Sequence, residues 1–220
     1  MDIKEGKTLE TLKRKFPFLL LLLIIPALGF IYTVLNENPR RATSISTALD
    51  QHIPFIPVFI IPYIIWYAYV LGYLIYFCFK DTKVYIKSLI TITIGECICF
   101  IIFFYFQTTV NRPEISPEVP FYHLVNFIYE NDRPFNCFPS IHVLTTYVIM
   151  LASLHIKNKH PLHSILIQGM GSLIILSTLF VKQHVIWDMV GSMFLVSYIY
   201  GIIFELVNIR IAQKAKTVEK

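Results

Sequence analysis

The sequence predicts an all-α polytopic membrane protein with six transmembrane helices in a bundle, and two observations lead to this fold class. First, 55% of the 220 residues are hydrophobic and only 15% are charged, with a mean hydropathy of +0.62. A soluble protein keeps about a quarter of its residues charged, so most of this surface must face lipid. Second, apolar stretches of about 20 residues, the length of helix that crosses a hydrocarbon core, recur along the chain.

Six apolar stretches are long enough, or nearly so, to cross a membrane. They cover residues 16–35, 53–79, 88–110, 140–156, 164–181 and 185–209, of which the fourth lies near the lower limit. Glu96 and Glu205 lie inside the third and sixth stretches. We expect Glu96 to hydrogen-bond between helices and Glu205 to lie at the cytoplasmic interface. The stretches leave no soluble domain, so residues 1–220 are predicted to form one integral-membrane domain.

The distribution of basic residues predicts the orientation. Lys13, Arg14 and Lys15 precede the first stretch as in a signal peptide, but that stretch is long and lacks a small-residue cleavage site, which favours an uncleaved anchor. Fourteen Lys and Arg residues lie in the connections on one side and five on the other. Because basic residues are retained in the cytoplasm, both termini are predicted to be cytoplasmic and the connection 111–139 to lie outside. Small size and short loops favour a bacterial plasma membrane.

Polar residues gather at the predicted outer ends of the third to sixth stretches. They lie in four segments, 111–114, 132–134, 136–142 and 182–188. In a membrane protein, polar groups that do not face lipid indicate a functional site. The basic clusters elsewhere lie between apolar stretches and indicate topology, so nucleic acid is not an expected partner.

His184 and Asp188 are four residues apart at a predicted helix start, which places both side chains on one helix face. A carboxylate that binds one imidazole nitrogen sets the tautomer and leaves the other nitrogen free to attack or to accept a proton. The spacing therefore fits a histidine nucleophile or base. It fits equally well a buried ion pair that ties two helices together.

Ser140 and His142 lie at the start of the fourth stretch, where free backbone N–H groups and the positive helix end attract an anion. A capped helix start without a ligand is the alternative. Arg112 and Lys182 are cations near these helix ends, and guanidinium groups suit phosphate oxygens. Together the residues supply a nucleophile, an acid and positive charge, which are the requirements of phosphate chemistry.

These motifs resemble the type 2 phosphatidic acid phosphatase superfamily over about 80 residues. The superfamily signature is a Lys six residues before Arg-Pro, then Pro-Ser-Gly-His, then Ser-Arg, five residues, His, three residues and Asp. The matching residues here are Arg112-Pro113, Pro139-Ser140 with His142, and Ser177 with His184 and Asp188. The sequence departs from the signature at Tyr105 for Lys, Ile141 for Gly and Thr178 for Arg. The Pro-Ser-x-His form is similar to the branch that contains inositol phosphorylceramide synthases, which transfer rather than hydrolyse.

The resemblance implies a metal-independent phosphatase that acts on a membrane lipid phosphate or diphosphate at the outer face, without a cofactor. His184 would form a phosphohistidine, Asp188 would orient it and His142 would protonate the leaving oxygen. These residues lie in the predicted catalytic loops 111–142 and 177–188. The phosphate-binding residues would be Arg112 and Ser140, with Lys182 and Arg133 in place of the missing cations.

Three other functions remain open. A lipid phosphotransferase would use the same residues and replace water by an alcohol acceptor. A zinc hydrolase could take His142, His184, Asp188 and Cys137 as ligands. A carrier would bind phosphate without reaction. The expected partners are a lipid phosphate substrate and the bilayer, and the sequence makes no prediction of oligomeric state.

Overall fold

The computed structural model describes residues 2–39 and 41–206, and it is mostly helical, at 74%. Its helices are α1 Asp2–Leu19, α2 Ile24–Glu37, α3 Ala48–His52, α4 Ile60–Lys80, α5 Thr82–Tyr105, α6 Tyr122–Asn131, α7 Ile141–Ser153, α8 Pro161–Phe180 and α9 Ile186–Tyr200. A π-helical turn, Gly201–Leu206, extends α9. Two short parallel strands, β1 Thr43–Ser44 and β2 Thr108–Thr109, join the connections after α2 and α5.

Five helical segments among the described residues are long and apolar enough to cross a membrane. They are Glu10–Glu37, Pro57–Lys80, Thr82–Tyr105, Pro161–Phe180 and Ile186–Glu205. Several apolar helices therefore agree with an integral membrane protein. The predicted fourth span appears as α7, whose 13 residues extend about 20 Å and fall short of the usual length. Residues 207–209 of the predicted sixth span, and the basic tail after them, lie outside the described residues.

The second and third segments differ from their predicted bounds. The second begins at Pro57 rather than at residue 53 because Ile53 and Ile56 adopt extended backbone conformations next to Pro54 and Pro57. The third begins at Thr82, capped by the Asp81 side chain, and ends at Tyr105, after which the chain leaves the helix to form β2. Turn and cap residues, which hydropathy does not detect, determine where both segments begin.

α7 is the central helix of the structure. It packs against α4, α5, α8 and α9, and nine of its 13 residues are buried. Leu144, Val148 and Ile149 belong to the main core cluster together with side chains of the surrounding helices. The start of α7 therefore lies at the centre of one end of the bundle. On α5, Glu96 is also buried, and its interhelical hydrogen bond stays a prediction.

The connection between α5 and α7 covers the same end of the bundle. Within it, α6 packs through Val125 and Ile128 on Ile60 and Tyr63 at the start of α4 and on Val181 after α8. The Phe138 N–H donates to the Thr108 hydroxyl at 2.7 Å, which ties the end of the connection to β2. These contacts hold the polar segments of the connection over the start of α7.

Candidate active site

The imidazole of His184 is held by Asp188 at the start of α9. His184 Nδ1 lies 3.1 Å from Asp188 Oδ2, and the same oxygen accepts the Val185 N–H at 2.9 Å. The Asp188 side chain is fully buried, whereas that of His184 is 8% exposed. A neutral His184 bonded in this way carries its proton on Nδ1, which leaves Nε2 with a lone pair. His184 thus has the orientation of a nucleophile.

A second carboxylate, that of Asp50 on α3, also binds the start of α9. Asp50 Oδ1 accepts the Ile186 N–H at 2.8 Å, while Oδ2 accepts the Thr47 N–H at 2.7 Å. Burial alone raises the pKa of Asp50, but these hydrogen bonds and nearby Lys182 lower it overall. The Lys182 ammonium donates to the backbone carbonyls of Asp50, at 3.1 Å, and Ile53. The connection before α4 is therefore attached to the turn that carries His184.

His142, in the first turn of α7, packs against two aromatic rings of α4. Its ring centroid is 4.5 Å from that of Tyr63 and 4.1 Å from that of Trp66. The Trp66 indole N–H donates to the Thr145 hydroxyl at 2.8 Å, which fixes the indole ring against α7. The imidazoles of His142 and His184 are 6.0 Å apart between centroids. The two histidines therefore face one small site.

Hydrogen bonds join the starts of α7 and α9. The Ser140 N–H donates to the Asp188 carbonyl at 3.3 Å, and the Ser192 hydroxyl contacts the Ser140 carbonyl at 2.9 Å. Ser140 caps α7 by accepting the Val143 N–H at 3.3 Å, which leaves its hydroxyl proton available to a ligand. The Phe138 ring lies directly against Gly191, where any side chain would collide with it.

Arg112 reaches the same region from the connection after α5. Its guanidinium donates to the carbonyls of Tyr129, at 3.0 Å, and Asp132, at 2.6 Å, and to the side-chain oxygen of Gln183. It also lies over the Tyr129 ring, 4.5 Å from the centroid. Burial raises the pKa of Tyr129 to about 12, although the Arg112 charge opposes the shift. Arg112 is therefore hydrogen-bonded to Gln183, the residue that precedes His184.

Four nitrogen atoms of this region are buried without a hydrogen-bond partner among the described residues. They are Arg112 Nε, Asn136 Nδ2, His142 Nε2 and Gln183 Nε2. An unsatisfied buried polar atom costs about 1–3 kcal/mol, and such atoms in a native structure call for an explanation. A ligand rich in acceptor oxygens would supply the missing partners.

Cys137 also approaches the histidine–aspartate pair. Ligand atoms of Cys137, His184 and Asp188 all lie within 4.8 Å of one another. Burial, followed by the Asp188 charge, raises the pKa of the Cys137 thiol well above its usual value. Of the four residues considered as zinc ligands, these three form one group, and His142 is not part of it.

The family model of the PAP2 superfamily, that of type 2 phosphatidic acid phosphatases, matches residues 84–212, more than half of the chain. The chain belongs to the PAP2 superfamily. This family indicates phosphatase or phosphotransferase activity on lipid phosphates. None of the curated proteins and none of the solved structures compared with the chain gave a match.

The structure also shows where this PAP2 protein carries the residues that depart from the signature. Tyr105 is 82% exposed at the end of α5, so its side chain points away from the bundle. The Thr178 hydroxyl donates to the Ile175 carbonyl, and the Thr178 carbonyl accepts the N–H groups of Gln183 and His184 at 3.0 Å each. Neither residue replaces the missing charge. Thr178 instead shapes the turn that carries His184.

The predicted site residues fall into two groups. The structure brings together His184, Asp188, His142 and Ser140, and it connects Arg112 to them through Gln183. It places the ammonium of Lys182 on backbone carbonyls and leaves Arg133 exposed, and the phosphate-binding roles of these two residues stay predictions.

Sequence reasoning missed several residues of the site. Gln183 lies in the polar segment 182–188, and its position between the predicted site residues Lys182 and His184 could have identified it. Tyr63, Trp66 and Asp50 come from distant parts of the chain, and no motif marks them.

Proposed function

We propose that this protein is a metal-independent phosphatase that hydrolyses a membrane lipid phosphate or diphosphate, phosphatidate-like or polyprenyl, through a phosphohistidine. The observation that carries the proposal is the hydrogen bond of 3.1 Å from His184 to fully buried Asp188, with the His142 ring 6.0 Å away. This arrangement supplies an oriented nucleophile beside an acid. The unpartnered nitrogen atoms around it suit the phosphoryl oxygens.

In the first step, His184 Nε2 attacks phosphorus. A phosphorus–nitrogen bond forms, the phosphorus–oxygen bond to the lipid breaks, and protonated His142 gives its proton to the leaving oxygen. Asp188 stabilises the positive charge that develops on the His184 ring. Arg112, the Ser140 hydroxyl and the first amides of α7 would hold the phosphoryl oxygens.

In the second step, water attacks the phosphohistidine. His142, now neutral, accepts a proton from the water, the phosphorus–nitrogen bond breaks and inorganic phosphate leaves. The rings of Tyr63 and Trp66 support this role because an aromatic face favours a cationic imidazole packed against it.

We further propose six membrane crossings, with α7 as the fourth and shortest. Enclosure by α4, α5, α8 and α9 supports this, because a helix surrounded by protein need not match the lipid thickness by itself. The site lies at the end of the bundle formed by the starts of α7 and α9. The excess of basic residues on the opposite side favours an outer-face site and cytoplasmic termini. The small size and short loops favour a bacterial plasma membrane.

A lipid phosphotransferase is the second candidate, and the charge around the site favours it. Near His184, the guanidinium of Arg112 keeps Nε without a partner among the described residues, although its other nitrogen atoms bind carbonyls and Gln183. The Lys182 ammonium binds carbonyls, and positions 105 and 178 are neutral. A phosphodiester carries one negative charge and needs less compensation than a phosphomonoester, which carries nearly two. An alcohol would then replace water in the second step.

Phosphate release from candidate lipids tests the proposal. Detergent-purified protein is incubated with phosphatidate, lysophosphatidate, phosphatidylglycerophosphate and a polyprenyl diphosphate in the presence of EDTA, with His184→Ala and His155→Ala as matched variants. We expect release that survives EDTA and disappears only in His184→Ala. Release by His184→Ala, or loss on adding EDTA, would refute the mechanism. Lipid product that forms only when an alcohol acceptor is added would favour the transferase.

A further inference from the structure

Cys137 supplies a thiol next to the nucleophile that the proposed reaction does not use. It is 3% exposed and lies in the connection just before α7. Its sulfur, one nitrogen of His184 and one oxygen of Asp188 lie within 4.8 Å of one another. Sulfur, nitrogen and oxygen in such a group are the ligands that zinc and related soft cations prefer.

The Asp188 carboxylate gives a second, independent indication. Its Oδ2 accepts hydrogen bonds from His184 and from the Val185 N–H. Its Oδ1 is buried and has no hydrogen-bond partner among the described residues. A buried carboxylate oxygen without a donor is unfavourable, and a cation bound to it would satisfy that oxygen.

We propose that Cys137, His184 and Asp188 bind a thiophilic divalent cation such as Zn²⁺, and that this cation inhibits the enzyme. On binding, Cys137 releases its thiol proton to solvent, and the cation takes the sulfur, an Asp188 oxygen and a His184 nitrogen. Tetrahedral ligands at about 2.0–2.3 Å from zinc are about 3.5 Å apart, so atoms that lie within 4.8 Å of one another can reach one ion by small side-chain movements. Binding does not depend on the proposed function.

The inhibitory effect does rest on the proposed function. A cation bound to His184 and Asp188 would weaken or replace the hydrogen bond that orients the nucleophile. It would also place positive charge on the imidazole ring that must attack phosphorus. The predicted effect of zinc on activity is therefore opposite to its effect on a zinc hydrolase, which requires zinc. Zinc lowers the activity here, and a chelator preserves or raises it.

Cadmium is the probe for the binding test, because its bond to a thiolate gives an ultraviolet charge-transfer absorption. The full chain in detergent is titrated with Cd²⁺, and bound metal is measured by equilibrium dialysis. Cys137→Ser is compared with Cys97→Ser, a matched change at an exposed cysteine. We expect one Cd²⁺ per chain with thiolate absorption in the wild type and in Cys97→Ser, and an affinity at least about 10-fold weaker in Cys137→Ser.

His184→Ala provides a second variant in case Cys137→Ser does not fold, and helical circular dichroism checks the fold of each protein. The site is refuted if folded wild type binds no Cd²⁺, or if both variants bind it as tightly as the wild type.

In the phosphate-release assay, we expect Zn²⁺ to inhibit the wild type and Cys97→Ser alike. Activity that a chelator abolishes and Zn²⁺ restores would overturn the inhibitory role. Bound Cd²⁺ without any phosphate release would refute the function and leave the binding site standing.

Discussion

Two histidine–carboxylate pairs among the described residues lie at opposite ends of the packed helices, and they differ in geometry. At the proposed active site, His184 Nδ1 lies 3.1 Å from Asp188, and the two side chains are 8% and 0% exposed. At the other end, His155 Nε2 lies 3.7 Å from Glu205, and these side chains are 31% and 57% exposed. An exposed pair of this kind contributes about 0–1 kcal/mol to stability, because solvent screens it.

The two pairs also differ in what surrounds the ring. His155 Nε2 is shared between Glu205 and the Tyr200 hydroxyl, and the ring packs 5.0 Å from that of Phe204. His184 uses Nδ1 for its carboxylate and has Nε2 free, near unpartnered nitrogen atoms of other described residues. The same residue types thus form two pairs that differ in burial and in the nitrogen that remains free.

Replacing each histidine by alanine should give the largest difference in kcat between the two pairs. We expect His184→Ala to lower kcat by about 10⁴-fold or more because the nucleophile is lost. His155→Ala should change kcat by roughly twofold or less, because a partly exposed pair is not coupled to the site. Steady-state phosphate release from the best lipid substrate measures both. Comparable losses in the two variants would contradict the assignment.

Neutralising the two carboxylates should give the next largest difference. Asp188→Asn is expected to lower kcat by about 10²- to 10⁴-fold and to change KM little, because Asp188 orients His184 and stabilises its charge. Glu205→Gln should leave both constants within roughly twofold of the wild type. The separate measurement of kcat and KM, with circular dichroism for folding, decides this. A change confined to KM would assign Asp188 to substrate binding instead.

The aromatic rings that flank His142 should have a smaller effect. Trp66→Leu removes one face that stabilises the cationic imidazole, a contribution of about 1–2 kcal/mol, so we expect kcat to fall by about 5- to 30-fold. Trp187→Leu is the matched control, since Trp187 is exposed on α9. The pH dependence of kcat should shift in Trp66→Leu alone. An unshifted profile with normal kcat would show that the ring has no part in the acid's charge.

The smallest predicted effect concerns the carboxylate of Asp50. Its pKa in the folded protein is lowered, so its stabilisation is fully present above the unfolded pKa of about 3.9 and disappears as the pH falls through the folded value. Asp50→Ala should cost about 1 kcal/mol at neutral pH by removing a cap of α9. Thermal unfolding in detergent between neutral and acidic pH tests this. The difference in melting temperature between wild type and variant should become smaller at low pH. A difference that does not change with pH would argue against the cap.

The sequence by itself determined the class of protein and the centre of the site. Hydropathy is a property of local composition, so five of the six predicted stretches correspond to described helices that are long and apolar enough to cross a membrane, and the fourth corresponds to the shorter apolar helix α7. The spacing of His184 and Asp188 implied their contact because residues four apart share a helix face. The capping role of Ser140 followed from the same local rules, since it depends on the next three residues.

Only the tertiary structure decided what surrounds that centre. Lys182 binds carbonyls more than 100 residues earlier in the chain, and the rings of Tyr63 and Trp66 reach His142 from α4. The approach of Cys137 to Asp188 depends likewise on how the connection before α7 lies on α9. Local periodicity and motif spacing carry no information on such contacts, because the packing of distant segments determines them. The sequence therefore named the groups of the proposed reaction, and the fold determined which polar atoms around them lack a partner among the described residues.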